Sequence, residues 1–160
     1  DPAGTLFIFL VGFGWGKPVQ HRTYDPKQRM WISLAGPVSN LILAFIFGLL
    51  FRFGLAPALD IGPEWFNLQS IVYTTISINV LLAVFNMIPL SPLDGSSILA
   101  GLLPDPYGWR LAEFNARFPQ ALILFLLADT LLIAPALGRS ILSLILGPPI
   151  RTLTLFFIGL

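Results

Sequence analysis

No cysteine occurs anywhere in the 160 residues, and there is a single histidine, His21. The first absence excludes disulfides, a cysteine nucleophile and thiolate metal sites, and it leaves the redox compartment open. The second means that this chain alone cannot build a zinc site with two imidazole ligands. Charge is scarce as well. Asp, Glu, Lys and Arg make up 11% of the chain, against about a quarter in soluble domains. With nine cations, eight anions and a net charge of +1, no basic stripe exists to neutralise phosphates, so nucleic acid is excluded as a partner. An initiating methionine and a signal-peptide pattern are also missing, and the chain is expected to be a truncated or excised piece.

What is abundant is apolar side chain. Hydrophobic residues make up 56%, and the mean hydropathy is +0.82. A water-soluble fold of this size cannot hide so much apolar surface, whereas a lipid-facing one need not. The expected fold is an all-α integral membrane protein forming one membrane-embedded domain over residues 1–160. About three spanning helices are expected, with short re-entrant, interfacial and half-inserted helices and a short strand near residues 15–20.

Asp1-Pro2 suits a helix start, but the apolar run Leu6 to Val11 is too short to cross about 30 Å of hydrocarbon. Met30 to Phe51 is the first full span, free of charge. Ser33, Gly36, Pro37 and Asn40 fall on one of its faces, a pattern that lets a neighbouring helix approach closely. Ile71 to Leu90 is the second span, with Thr75, Asn79 and Asn86 on one face. Pro89 and Pro92 end it, and Ser96 is expected to cap a short helix through Leu103. Trp109 to Phe118 reads as an interfacial amphipathic helix. Pro119 to Leu137 is expected as the third span, interrupted by Asp129 and Pro135. After Gly138, Arg139, Gly147-Pro148-Pro149 and Arg151 divide the apolar sequence into pieces expected to lie on the surface or insert half-way. Trp15, Trp31, Trp65 and Trp109 lie near span ends, where aromatic belts form.

Lys17, Arg22, Lys27 and Arg29 precede the first span, and Arg110 and Arg117 follow the second. The other side carries Arg52 and Arg139, and this asymmetry of six against two puts the first group in the cytoplasm. Asp94 is then expected at or just inside the cytoplasmic face.

Pro92-Leu93-Asp94-Gly95 is a common turn sequence and, alone, reads as structural. Here it continues an apolar helix carrying two asparagines, and two prolines free carbonyls that need partners. Broken backbone, a carboxylate and an amide near a membrane surface point to a hydrated polar site. Metal ligation, a proton relay and ion binding all fit these residues.

The order of motifs narrows the choice. Asn79-xx-Leu82-xx-Phe85-Asn86-x-Ile88-Pro89-xx-Pro92-Leu93-Asp94-Gly95 resembles the third-ligand motif of the site-2 protease family of intramembrane zinc metalloproteases. Gly14-Trp15-Gly16-Lys17-Pro18-Val19 resembles its GWxKPV segment, and Leu34-Ala35-Gly36-Pro37-Val38-Ser39-Asn40 its LAGPxxN helix. Asp1-Pro2-Ala3-Gly4-Thr5 is similar to the segment that opens this part of the smaller bacterial members that lack a PDZ domain. The resemblance runs from Asp1 to about Leu103 and rests on hydropathy beyond.

The resemblance implies a zinc metalloendopeptidase that cleaves membrane-spanning protein substrates within the lipid bilayer, in a bacterial cytoplasmic membrane. It implies that Asp94 is the carboxylate ligand of zinc and that Asn86 lies near the site, orienting substrate or holding an oxyanion. Asn79 belongs to the same motif, and Gly36, Pro37 and Asn40 would bring the neighbouring helix close. The family's H-E-x-x-H motif, which supplies two zinc ligands and the general base, does not occur here. It is expected upstream of Asp1, so no catalytic base is assigned within this chain, the zinc site is incomplete and the chain alone should be inactive. Two alternatives remain open: a non-catalytic relative that holds transmembrane segments, and an ion- or proton-handling membrane protein using Asp94 and the asparagines.

His21 sits in a basic loop among Gln20, Arg22 and Thr23 and is expected to have no metal role. Asp129, an ionisable group inside an apolar run, hints at function by default. The structural alternative, a helix break whose carboxylate caps the next segment or pairs with an arginine, is the expected one.

Overall fold

A computed structural model describes residues 25–55 and 67–160. The expected helix start at Asp1, the strand near 15–20 and His21 lie outside the described residues.

Helix α1, Pro26–Arg52, starts earlier than its apolar run. The cause is local: Asp25 accepts a hydrogen bond from the Lys27 amide at 3.0 Å, and Pro26 occupies a first-turn position that needs no amide. Its 27 residues extend about 40 Å, ample for a tilted crossing. Helix α2, Leu68–Asn86, is capped by Asn67, whose side chain accepts from the Ser70 amide at 2.7 Å. Val72, Ile76, Val80 and Ala83 form its buried face at helical spacing. They pack with Ala44 of α1 and with Phe157, and Ile76 and Val80 are fully buried. Leu68 joins this core beside Leu50 and Phe51, so α2 begins where α1 ends and runs back along it.

Helix α3, Asp94–Leu102, lies on the first turns of α1: a side chain at Gly101 would fall 2.4 Å from the Met30 Cβ and 2.7 Å from the Pro26 carbonyl. Its start differs from the expected cap. Ser96 sits inside the helix and donates its hydroxyl to the Leu93 carbonyl at 2.8 Å, so α3 begins at Asp94. Helix α4, Tyr107–Arg117, is the expected amphipathic segment, with an exposed Arg117–Glu113 ion pair at 2.6 Å. The chain then bends by 73° into α5, Ala121–Ala128, a π-helical turn at Asp129–Ile133 and α6, Ala134–Leu137. Helix α7, Ile141–Ile158, completes the described chain.

Three helices are long and apolar enough to span: α1, α2 and α7. The expected 119–137 span meets that test only jointly with α4, across the 73° bend, and the 141–158 stretch is one helix rather than short pieces. Pro148 and Pro149 lie inside α7 and remove two helical hydrogen bonds, but its ends are set elsewhere. At the start, Asp129 accepts from the amides of Ile141 and Leu142 at 2.8 and 3.2 Å and from the Ser140 hydroxyl. Ser140 in turn accepts from the Ser143 amide at 3.2 Å. At the other end the Arg52 guanidinium donates to the carbonyls of Phe156 and Phe157 and lies 5.2 Å from the centre of the Phe156 ring. In hydrocarbon every backbone polar group needs a partner, and these two charged side chains supply them. Asp129, 2% exposed, is thus the capping carboxylate expected from its position.

Direction follows from the same contacts. The C-termini of α1 and α7 meet at Arg52, so the two helices run the same way, and α7 starts from the side on which α2 ended. The bent segment between them makes no net crossing. Arg139 accordingly moves to the side that carries Arg29, Arg110 and Arg117, leaving Arg52 at the opposite end and Arg151 within α7, in the half that runs towards it.

Gly48 fixes the α1–α7 spacing: a side chain there would fall 2.6 Å from the Phe157 carbonyl. Gly48→Ala should lower stability by about 1–3 kcal/mol, despite the usual helical preference for alanine. Leu43→Ala, on the exposed lipid-facing surface, should change it by less than about 0.5 kcal/mol. Thermal unfolding of both variants in one detergent checks the contrast.

Candidate functional site

The connection from α2 to α3 is a compact turn. Amides of Ile88, Leu90 and Leu93 donate to the carbonyls of Phe85, Ile88 and Leu90 at 3.1, 2.8 and 2.9 Å. The Ser91–Pro92 peptide is cis. Gly95 is required by packing, since a Cβ there would lie 2.3 Å from the Met87 carbonyl and 2.5 Å from that of Ile88. The turn therefore folds its end back onto its beginning and delivers Asp94 as the first residue of α3. A carboxylate at that position meets the positive end of the helix dipole.

Asp94 faces α1. Its Oδ2 lies 3.0 Å from where a side chain on Gly36 would begin, and the Ser33 side chain hydrogen-bonds to it. Ser33 and Gly36 are one turn apart on the same helix, and Pro37 withholds the amide that the Ser33 carbonyl would otherwise receive. Asp94 is half-buried and Gly36 exposed, so the carboxylate sits at an opening rather than in a sealed core. Burial holds its carboxyl above the usual carboxylate range, and the Ser33 hydrogen bond partly offsets that.

The remaining expected residues divide. Gly36 is brought to Asp94. Pro37 is buried and Asn40 half-buried further along α1. Asn86 and Asn79 are half-buried on α2, and their amides donate to the carbonyls of Leu82 and Thr75 at 2.9 and 2.8 Å, each four residues back. Thr75 does the same to Ile71 at 2.8 Å. These polar groups satisfy themselves on their own helix. Among the described residues no group of three or more His, Cys, Asp or Glu side chains clusters to hold a metal. Asp94 fits as one ligand, a half-buried carboxylate beside open space over a glycine, and the described residues supply no second. Ser33 as the partner of Asp94 was not assigned from sequence. Its spacing of three from Gly36 was the available signal.

The fold and site define a polytopic helical membrane protein that presents one carboxylate at the head of a short helix, against a glycine of its central spanning helix. Residues 62–127 match the model described as "Peptidase family M50". The chain is 39% identical over 131 residues to "Putative zinc metalloprotease YwhC" of Bacillus subtilis, covering 78% of this chain and 60% of the relative. It is 30% identical over 109 residues to "Zinc metalloprotease MJ0392" of Methanocaldococcus jannaschii, covering 67% and 30%. It is 36% identical over 107 residues to "Putative zinc metalloprotease Rip3" of Mycobacterium tuberculosis, covering 64% and 24%. No solved structure matches. These matches support assignment of the chain to the site-2 protease family, peptidase family M50. It spans about 60% of the length of YwhC and less of the other two relatives.

The two glycines of the site should respond differently. Gly95→Ala drives a Cβ into backbone and should lower stability by about 1–3 kcal/mol. Gly36→Ala meets only the end of the Asp94 side chain, which can shift by a few tenths of an ångström, and should lower it by less than about 1 kcal/mol. Parallel thermal unfolding of the two variants measures the difference.

Proposed function

We propose that this chain is part of a zinc metalloendopeptidase that cleaves membrane-spanning protein segments. Asp94 is one zinc ligand, and an H-E-x-x-H segment outside these 160 residues supplies the two imidazoles and the general base. The observation that carries this reading is the placement of the Asp94 carboxylate at the head of α3, half-buried, over Gly36 and beside Ser33. The zinc metalloprotease names of its relatives support it.

When bound, zinc supplies a Lewis acid that makes water nucleophilic near neutral pH. The residues of this chain orient that chemistry. The Gly95 turn fixes where the carboxylate stands, and Ser33 holds one of its oxygens in the way outer hydrogen bonds hold metal ligands. Gly36 leaves the approach unobstructed. Asn86 and Asn79, on the helix leading into the turn, would face a substrate segment laid beside α2, each with an amide oxygen left to accept a backbone donor. Lys27, Arg29, Arg110, Arg117 and Arg139 at the Asp94 side, against Arg52 at the other end and Arg151 within α7, support a position of Asp94 near the cytoplasmic face by the positive-inside rule.

The test is zinc stoichiometry of the complete protein together with cleavage of a model transmembrane substrate. Wild type should hold one zinc per chain, and Asp94→Asn should lose most of it and reduce cleavage at least 100-fold, about 2.7 kcal/mol of transition-state stabilisation. Full zinc occupancy in a folded Asp94→Ala variant would remove Asp94 as a ligand.

A further inference from the structure

A second polar opening is lined by neither Asp94 nor Gly36. A cavity of about 280 Å³ is enclosed by the first turns of α1, the Ser91–Pro92 corner, α3 and α4. Its polar lining comprises Arg29, Ser91, Ser96, Ser97 and Asn115. Nothing in the proposed peptidase chemistry uses these groups.

The hydrogen-bonding capacity there is unevenly spent. The Ser96 hydroxyl is committed to the Leu93 carbonyl at 2.8 Å, and the Asn115 amide donates to the Ser96 carbonyl at 3.3 Å, tying α4 to α3. Ser91 is 8% exposed and borders the cavity, and its carbonyl accepts from the Leu122 amide at 3.0 Å. Arg29 forms no ion pair with any described residue. On α1 and α4, Asp25 is engaged in capping α1 and Glu113 pairs with Arg117. A half-buried arginine with no ion pair among the described residues, lining a cavity together with Ser91 and Ser97, makes a site for an anion with several acceptor oxygens.

Location identifies its source. The cavity lies under the amphipathic helix α4, whose Tyr107, Trp109, Phe114 and Phe118 are exposed to the surroundings. Such a helix lies in the headgroup layer with its aromatic side chains toward the acyl boundary. The oxyanion at hand in that layer is the phosphodiester of a membrane lipid. We propose that this cavity binds the phosphate of an anionic phospholipid headgroup, with Arg29 and Ser91 as its principal donors.

The test is native mass spectrometry of the complete, delipidated protein titrated with phosphatidylglycerol or phosphatidylcholine. Phosphatidylglycerol should be retained in preference, and Arg29→Gln should weaken its first equivalent about tenfold or more, the loss expected for one charge-assisted hydrogen bond. Ala112→Leu, which fills the cavity wall while keeping Arg29, should do the same and guards against misfolding of the first variant. Arg117→Gln, on the exposed face of α4, should change retention less than twofold. Equal retention of both lipids, or an Arg29→Gln effect no larger than that of Arg117→Gln, overturns the proposal. Displacement of phosphatidylglycerol by millimolar inorganic phosphate also overturns it, by making the free ion the ligand.

Discussion

The placement of α2, α3 and α7 depends on how narrow α1 is. Gly36, Ala44 and Gly48 follow one another along the helix at steps of eight and four residues, and each admits a different neighbour. Gly36 admits the Asp94 carboxylate, Ala44 the apolar face of α2, and Gly48 the backbone of α7 at Phe157. Lipid gives no hydrophobic drive for helices to associate, so contact depends on close packing of small residues. The site therefore inherits its position from a helix that contributes almost no chemistry of its own. Ser33 is the exception, reaching the carboxylate one turn from the glycine.

Much of this was legible in the sequence because lipid-facing helices announce themselves by length and apolarity. The first two spans, the amphipathic α4 and the prominence of Asp94 followed from residue patterns, as did the small and polar face that includes Ser33, Gly36, Pro37 and Asn40. The third span was misplaced. Proline pairs read locally as helix breakers, and Asp129 reads as an interruption, so the sequence favours 119–137 over 141–158. What reverses that preference is long-range: a carboxylate 12 residues before Ile141 and an arginine 104 residues before Phe156 satisfy the two ends of α7. Neither contact leaves a periodic trace. The same holds for the start of α3, where Ser96 resembles a cap but the Gly95 close approach decides the register.

The charged groups divide by what they complete. Asp25, Arg52 and Asp129 each close a helix end, and Glu113 and Arg117 close on one another. Asp94 and Arg29 differ in kind. Each stands at an opening, each has coordination capacity beyond what its described neighbours use, and Asp94 does not line the cavity that Arg29 lines. That contrast, rather than the presence of charge, separates structural ionisable residues from candidate functional ones in an apolar chain.

Asp129 also ties two parts of the chain into one. Its carboxylate, 2% exposed, accepts from the Ser140 hydroxyl and from the Ile141 and Leu142 amides. A carboxylate left alone in an apolar setting is costly, and here its described partners all belong to the start of α7. The segment before Asp129 and the helix after it are thus stabilised together, and Arg52 joins the far end of that unit to α1.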